Sequence, residues 1–185
     1  GWVEGVIQAK SFIKSGMANK CLVIGSDTLS RVTDDNDRDS MIYADGSGAI
    51  ILESNNSDDS GILSHNSATY TFEGENEFIY YGSSYNPKLS KDSNQKYIKM
   101  QGRKVYEFAL TNVPAAMKDC FDESKCKIEN LKKIFIHQAN KKMDEAIIKR
   151  FFRLYKMSPP KDVLPMNIEE YGNSSVATIP TLFDL

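Results

Sequence analysis

Short apolar runs alternate along this chain with stretches in which apolar residues recur every three or four positions. The run CLVIGSD at 21–27 is continuous and bounded by turn residues, so it predicts a buried strand. A helical stripe precedes it, formed by Trp2, Val6, Ala9 and Ile13, and this helix is expected to end at Gly16. Strands that alternate with helices in this way predict a layered α/β fold.

The same alternation continues to the end of the chain. A glycine-punctuated segment at 41–53 leads into a second predicted strand, and further strands are predicted at 61–70, 133–137 and 162–166. No period holds from 67 to 99, where tyrosines are interspersed with Gly, Ser and Asn, which is typical of a functional or disordered insertion.

Three further helices are predicted in the second half of the chain. The first begins near Gly102, and Pro114 is expected to kink or interrupt it. The second is expected to bury one face, which carries Met143, Ile147, Phe151 and Leu154. The third follows the turn in EYGNSSVATIPTLFDL.

Composition narrows the class of protein. The chain has 185 residues, of which 41% are hydrophobic and 10% aromatic, so a packed core is expected. A net charge of −2 gives no general affinity for nucleic acid or an anionic membrane, and no apolar stretch is long enough to span a membrane. Three cysteines without a paired framework predict that the chain forms no disulfides and belongs to the reducing cytoplasm. Because the chain opens inside an element and without Met, we expect it to be part of a longer protein.

Positive charge is concentrated in one part of the chain. Between residues 127 and 153 there are eight basic and three acidic residues, a local surplus of five positive charges in an otherwise acidic chain. Such a surplus suits an acidic partner or an anionic ligand.

Several kinds of chemistry are poorly supported by the sequence. No His, Cys or Asp spacing resembles a metal site, and the glycines of ADGSGA lack the Lys-Ser/Thr of a phosphate-binding loop, so we expect them to permit close backbone packing. His65 is expected to be structural. Cys21 and Cys120 are interpreted as small buried hydrophobic residues, and Cys126 as a loop residue.

The segment KKIFIHQANKKM at 132–143 allows two interpretations. His137 can simply end a strand, with Asn140 as the N-cap of the next helix, and Asn173 in YGNSS can be a turn residue. Alternatively, the histidine and the asparagines belong to a catalytic site.

Five segments in order decide between these interpretations: FIKSGMANKCLVIGSDTLSR, DRDSMIYADGSGAIILE, KMQGRKVYEFA, IFIHQANKKM and YGNSSVATIP. Together they resemble the thiolase-fold condensing enzymes, and most closely the β-ketoacyl-(acyl-carrier-protein) synthase III family. The resemblance implies a thiolase-like layered α/β/α fold with a mixed sheet, present as a truncated central-to-C-terminal portion. It divides the chain into the remainder of an N-terminal half (1–65), a variable substrate loop (66–99) and an incomplete C-terminal half (100–185).

The resemblance also implies roles for individual residues. His137 and Asn173 match the catalytic His and Asn of the family. Residues that match contacts to coenzyme A, its pantetheine arm or the acyl chain are Arg38, Asn140, Gly102 and Tyr106. Residues expected to dock the carrier protein are Lys142, Lys133 and Lys141. The family's nucleophilic cysteine would stand immediately before Gly1, outside this chain.

The implied reaction is a decarboxylating Claisen condensation of acyl-CoA with malonyl-acyl-carrier protein in fatty-acid biosynthesis. Coenzyme A enters as a thioester substrate, no cofactor is expected, and a cytoplasmic homodimer is implied. This chain alone is expected to be inactive. Two alternatives remain open: a non-catalytic docking module for carrier protein, and a thiolase-fold relative such as a hydroxymethylglutaryl-CoA synthase-like enzyme or a secondary-metabolite ketosynthase.

Overall fold

A computed structural model describes residues 1–55, 60–89 and 94–184 of the chain. Within these ranges the helices are α1 (Trp2–Lys14), α2 (Gly102–Glu123), α3 (Lys141–Leu154), α4 (Ile168–Tyr171) and α5 (Thr178–Phe183). The strands are β1 (Lys20–Thr28), β2 (Asp45–Glu53), β3 (Ile79–Gly82) and β4 (Tyr97–Met100). No helix in the described part is long and apolar enough to cross a membrane.

Helix α1 ends where its sequence predicts. Gly16 adopts a positive φ of 74°, a conformation that glycine reaches without a Cβ penalty. The amide of Met17 donates to the carbonyl of Phe12 at 3.0 Å, and that of Gly16 donates to the carbonyl of Ile13 at 3.1 Å. This pair of bonds satisfies the last carbonyls of the helix and turns the chain toward β1.

Strands β1 and β2 form an antiparallel pair with Val23 opposite Ile50. One face of the pair packs against α1 and α5 around the buried Trp2 and Val23. The run 21–27 is therefore a strand, as predicted, but the prediction that it is buried throughout is wrong. Leu22 and Ile24 are 62% and 58% exposed, because alternate side chains of a strand point to opposite faces and only one face is covered.

Glycines on the covered face let the segment 173–180 lie directly against the sheet. A Cβ added at Gly25 would lie 2.6 Å from the carbonyl oxygen of Val176, a distance that Cβ atoms essentially never show. Cβ atoms added at Gly46 and Gly48 would lie 2.7 and 2.8 Å from side-chain carbons of the same segment. The close packing expected of Gly46 and Gly48 is confirmed, although both lie within β2 rather than at a turn.

The strands predicted at 61–70, 133–137 and 162–166 are wrong, since none of these segments is a strand in the structure. A single backbone bond, from the Ile134 amide to the Val163 carbonyl at 2.8 Å, joins the last two. Conversely, β3 and β4 pair antiparallel inside the predicted insertion, where no period indicated strands. Residues 90–93 of that insertion lie outside the described residues.

Helices α2 and α3 pack together around buried Leu110, Met143 and Ile147. Of the two outcomes expected at Pro114, interruption of α2 is excluded because the helix continues to Glu123, and a kink stays a prediction. Proline has no amide hydrogen to donate to the carbonyl of Leu110. A guanidinium nitrogen of Arg150 on α3 donates to that carbonyl at 2.8 Å instead.

The predicted buried face of α3 is also partly wrong. Met143, Ile147 and Phe151 are buried as expected, but Leu154 is 47% exposed. Ile148 and Phe152 are buried in addition, so the apolar face is broader than the predicted stripe and stops one turn earlier.

The close approach at Gly25 gives a test of the fold. We expect Gly25→Ala to destabilise the full-length protein by about 1–3 kcal/mol, because the new methyl group must displace backbone rather than a flexible side chain. Chemical denaturation measures this change, with Ser26→Ala on the open face of the same strand as the matched control. Equal stability of the two variants would show that the packing of segment 173–180 does not require glycine at position 25.

Candidate active site

His137 lies in the extended segment that precedes α3, and it is close in space to the first residue of α5. Its Nδ1 is 2.7 Å from the hydroxyl oxygen of Thr178, the first residue of α5. The His137 residue is exposed to solvent, but the protein atoms around its ring desolvate it, and this lowers its pKa. A backbone hydrogen bond with Ser175 opposes that shift. Desolvation therefore favours the neutral form of the His137 ring.

Thr178 determines which nitrogen of His137 carries the proton. Its hydroxyl is buried, and besides His137 it reaches the carbonyl oxygen of Ser175 at 2.9 Å. That carbonyl also accepts the backbone amide of Thr178, so it has a partner in either case. If the hydroxyl donates to Nδ1, the ring proton lies on Nε2. If it donates to Ser175, Nδ1 must carry the proton itself.

The side chain of Asn173 is oriented by the same turn. Asn173 is 7% exposed, and its Oδ1 accepts the backbone amide of Ser175 at 2.9 Å. This bond assigns oxygen to one side of the amide and leaves the Nδ2 group as a donor. The backbone is also fixed, since the Asn173 amide donates to Ile42 at 2.7 Å and its carbonyl accepts from Ala44 at 2.9 Å.

The N-terminal end of α1 lies beside this turn. A Cβ added at Gly1 would lie 2.6 Å from a side-chain methyl of Val176, between Asn173 and Thr178 in sequence. Three elements therefore converge: the start of α1, the 173–178 turn and the end of the segment that carries His137.

Asn140 and the lysines lie at the start of α3. The Asn140 side chain accepts the amides of Lys142 and Met143 at 3.1 and 3.3 Å, so the N-cap interpretation is confirmed, and a substrate contact stays a prediction. Lys141 pairs with Glu169 at 2.6 Å. Lys133 donates to the carbonyl of Asp162 at 2.6 Å, and Lys142 is exposed.

The residues expected to hold coenzyme A form a second group. Arg38 is exposed and begins a 3-10 turn over Arg38–Ile42. This turn approaches the start of α2, because a Cβ added at Gly102 would lie 3.8 Å from a carboxylate oxygen of Asp39. Tyr106, one turn further along α2, is 40% exposed.

Sequence reasoning missed Thr178 and Asp144. Thr178 could have been noticed as a hydroxyl residue just after the YGNSS turn, although its contact with His137 spans 41 positions. Asp144 lies in the first turn of α3, where a local pattern indicates only an acid that favours the helix start. It is 1% exposed, and burial raises its pKa to about 7 while backbone amides at the start of α3 oppose the shift. Across the described ranges, no cluster of three His, Cys, Asp or Glu side chains could hold a metal ion.

The 173–178 turn orients the His137 ring and the Asn173 amide on a layered α/β scaffold, an arrangement that fits a thiolase-type fold. Residues 1–71 match the family model for 3-oxoacyl-(acyl-carrier-protein) synthase III, and residues 121–185 match the model for the C-terminal part of the same family. The chain belongs to the 3-oxoacyl-(acyl-carrier-protein) synthase III family.

Individual relatives agree with this assignment. The chain is 34% identical over 183 residues to β-ketoacyl-(acyl-carrier-protein) synthase III of Streptococcus gordonii, covering 98% of this chain and 54% of the relative. The synthase III structure from Thermus thermophilus superimposes with a TM-score of 0.82 at 27% identity, over 100% of this chain and 55% of that chain.

A Pseudomonas aeruginosa synthase III structure gives a TM-score of 0.83 at 24% identity, over 100% of this chain and 54% of that one, and this likeness supports the fold alone. The thiolase-like fold prediction is thereby confirmed. The chain spans about half the length of the relatives it matches. Its division at residues 65 and 99 stays a prediction.

Proposed function

We propose that the protein containing this chain catalyses the decarboxylating Claisen condensation of an acyl-CoA with malonyl-acyl-carrier protein. The observation that carries the proposal is the 173–178 turn, which orients both the His137 ring and the Asn173 amide. Family membership supports the same reaction class. In this proposal coenzyme A is a thioester substrate, no cofactor takes part, and the enzyme is a cytoplasmic homodimer.

The His–Asn pair suits the chemistry of decarboxylation. Breaking the bond to the malonyl carboxylate releases CO₂ and leaves an electron pair that becomes an enolate on the thioester oxygen. That oxygen needs hydrogen-bond donors rather than a base. We assign one donor to the Nδ2 of Asn173 and the other to a neutral His137 that carries its proton on Nε2. This tautomer requires the Thr178 hydroxyl to donate to Nδ1 instead of to the Ser175 carbonyl, which keeps the backbone amide of Thr178 as a partner.

The acceptor of the new bond would be an acyl-cysteine at the start of α1. From the family resemblance we propose that this cysteine stands immediately before Gly1, at the end of α1 that lies against Val176. The N-terminus of the 13-residue helix favours a thiolate, which is the nucleophile that takes the acyl group from acyl-CoA. The enolate carbon then attacks the acyl carbonyl, and the cysteine thiolate leaves.

Decarboxylation tests the role of Asn173. In the full-length protein we expect Asn173→Ala to lower malonyl decarboxylation about 10²–10³-fold, because one of two enolate donors is removed. Release of labelled CO₂ from malonyl-carrier protein measures the step. Asn130→Ala, at an exposed asparagine, is the control and should leave the rate unchanged. An undiminished rate in Asn173→Ala would remove Asn173 from the mechanism.

The basic segment around α3 supports docking of an acidic carrier protein. Lys133, Lys141 and Lys142 surround the segment that carries His137, and all three are exposed. Lys141 and Lys133 already have partners on the protein, so we assign the largest share of the docking charge to Lys142. Asn140, Arg38, Gly102 and Tyr106 are proposed to contact the coenzyme A or pantetheine thioester.

Charge reversal tests the docking role. In the full-length protein we expect Lys142→Glu to raise KM for malonyl-carrier protein about tenfold or more, while turnover of malonyl-CoA stays unchanged. Steady-state assays with the two malonyl donors measure the difference. Lys14→Glu, at the far end of α1 from Gly1, is the matched reversal control. An equal loss with both donors would contradict docking at Lys142. Carrier binding without any turnover in the unmodified protein would favour the docking-module alternative.

A further inference from the structure

A buried ion cluster lies apart from the proposed catalytic pair. The ammonium of Lys99 is 2.6 Å from a carboxylate oxygen of Asp34, and both side chains are only 2% exposed. The same ammonium is 2.9 Å from Asp37 and 3.6 Å from the centre of the Tyr85 ring. One lysine thus contacts two carboxylates and an aromatic face inside the protein.

The charges of this cluster are fully partnered. Asp34 accepts the hydroxyl of Ser84 at 2.9 Å and the amide of Tyr85 at 2.7 Å in addition to Lys99. Burial alone would raise the pKa of Asp34, but these bonds hold it well below its usual value. Burial likewise opposes the charge on Lys99, and the two carboxylates raise its pKa. A buried pair of this kind adds little net stability over apolar packing, so its contribution is better sought in the geometry that it fixes.

The cluster joins the two segments that approach each other near Gly102. On one side, the Asp37 side chain caps the Arg38–Ile42 turn by accepting the Asp39 amide at 3.0 Å. On the other side, Lys99 is part of β4, which runs into α2 at Gly102. The amide of Ile98 adds a backbone bond to the Val32 carbonyl at 2.8 Å.

We propose that Lys99 is a positioning residue that holds Arg38 at a fixed distance from the start of α2. Coenzyme A is long, and in the proposed function Arg38 contacts its nucleotide end while Gly102 and Tyr106 contact the pantetheine or acyl end. A link between the two segments lets one ligand engage both at once without an ordering cost. Lys99 therefore determines preference for thioesters that carry the nucleotide. This inference rests on the proposed function.

Two ligands that differ only at the nucleotide end test the inference. We measure dissociation constants of coenzyme A and of pantetheine by calorimetry on the full-length protein and on Lys99→Met. Loss of the link should weaken coenzyme A binding about tenfold, the value of one charged contact, and leave pantetheine binding unchanged. Asp37→Asn is the milder second variant, because asparagine keeps the cap and loses the charge. Lys96→Met, an exposed lysine that contacts Ser83, is the matched control.

The outcomes separate the inference from the proposed function. Equal weakening of both ligands, or of neither, in Lys99→Met and Asp37→Asn overturns the positioning role. If Lys99→Met does not fold, Asp37→Asn decides by the same ratio. A parallel assay of condensation in the unmodified protein tests the proposed function separately, since these binding constants do not depend on turnover.

Discussion

The close packing of segment 173–180 against the glycine face of β1 and β2 is the constraint on which the site depends. A Cβ at Gly25 would lie only 2.6 Å from the Val176 carbonyl oxygen, so the turn would have to shift away from the sheet. This turn fixes the backbone and the side-chain amide of Asn173, and it places the Thr178 hydroxyl against His137. The three glycines of the sheet therefore determine the position of the turn that orients His137 and Asn173.

Burial has opposite consequences in two parts of the molecule. Around His137, desolvation favours the neutral ring, which has one N–H donor and one unprotonated nitrogen. Around Lys99, burial is opposed by two carboxylates and an aromatic ring, so the cluster stays charged and links two segments. The neutral His137 ring suits donation to a developing enolate, and the charged Lys99 cluster suits holding two segments at a fixed distance.

The sequence predicted those features that depend on local patterns. The helical stripes of α1 and α3, the end of α1 at Gly16 and the Asn140 cap all follow from residues within a few positions of one another. The family resemblance supplied His137 and Asn173 as a pair, and the structure ties both to one turn.

Features that depend on distant residues were not predictable. The exposure of Leu22 depends on which face of the sheet is covered. The continuity of α2 through Pro114 depends on Arg150 from another helix. Strand pairing also requires a partner, so a strand-like run such as 133–137 stays extended without joining a sheet. The contact between Lys99 and Asp34 spans 65 positions, and no local pattern indicates it.

The proposed role of His137 as a hydrogen-bond donor depends on which ring nitrogen carries the proton. Nitrogen-15 NMR of the imidazole ring in the full-length protein distinguishes the two neutral tautomers, and within this chain only His65 needs to be told apart from His137. At pH 7 the account predicts a neutral ring with the proton on Nε2 and a Nδ1 that accepts from Thr178. A neutral ring protonated on Nδ1, with a bare Nε2, would contradict it, because His137 could not then donate to an enolate oxygen.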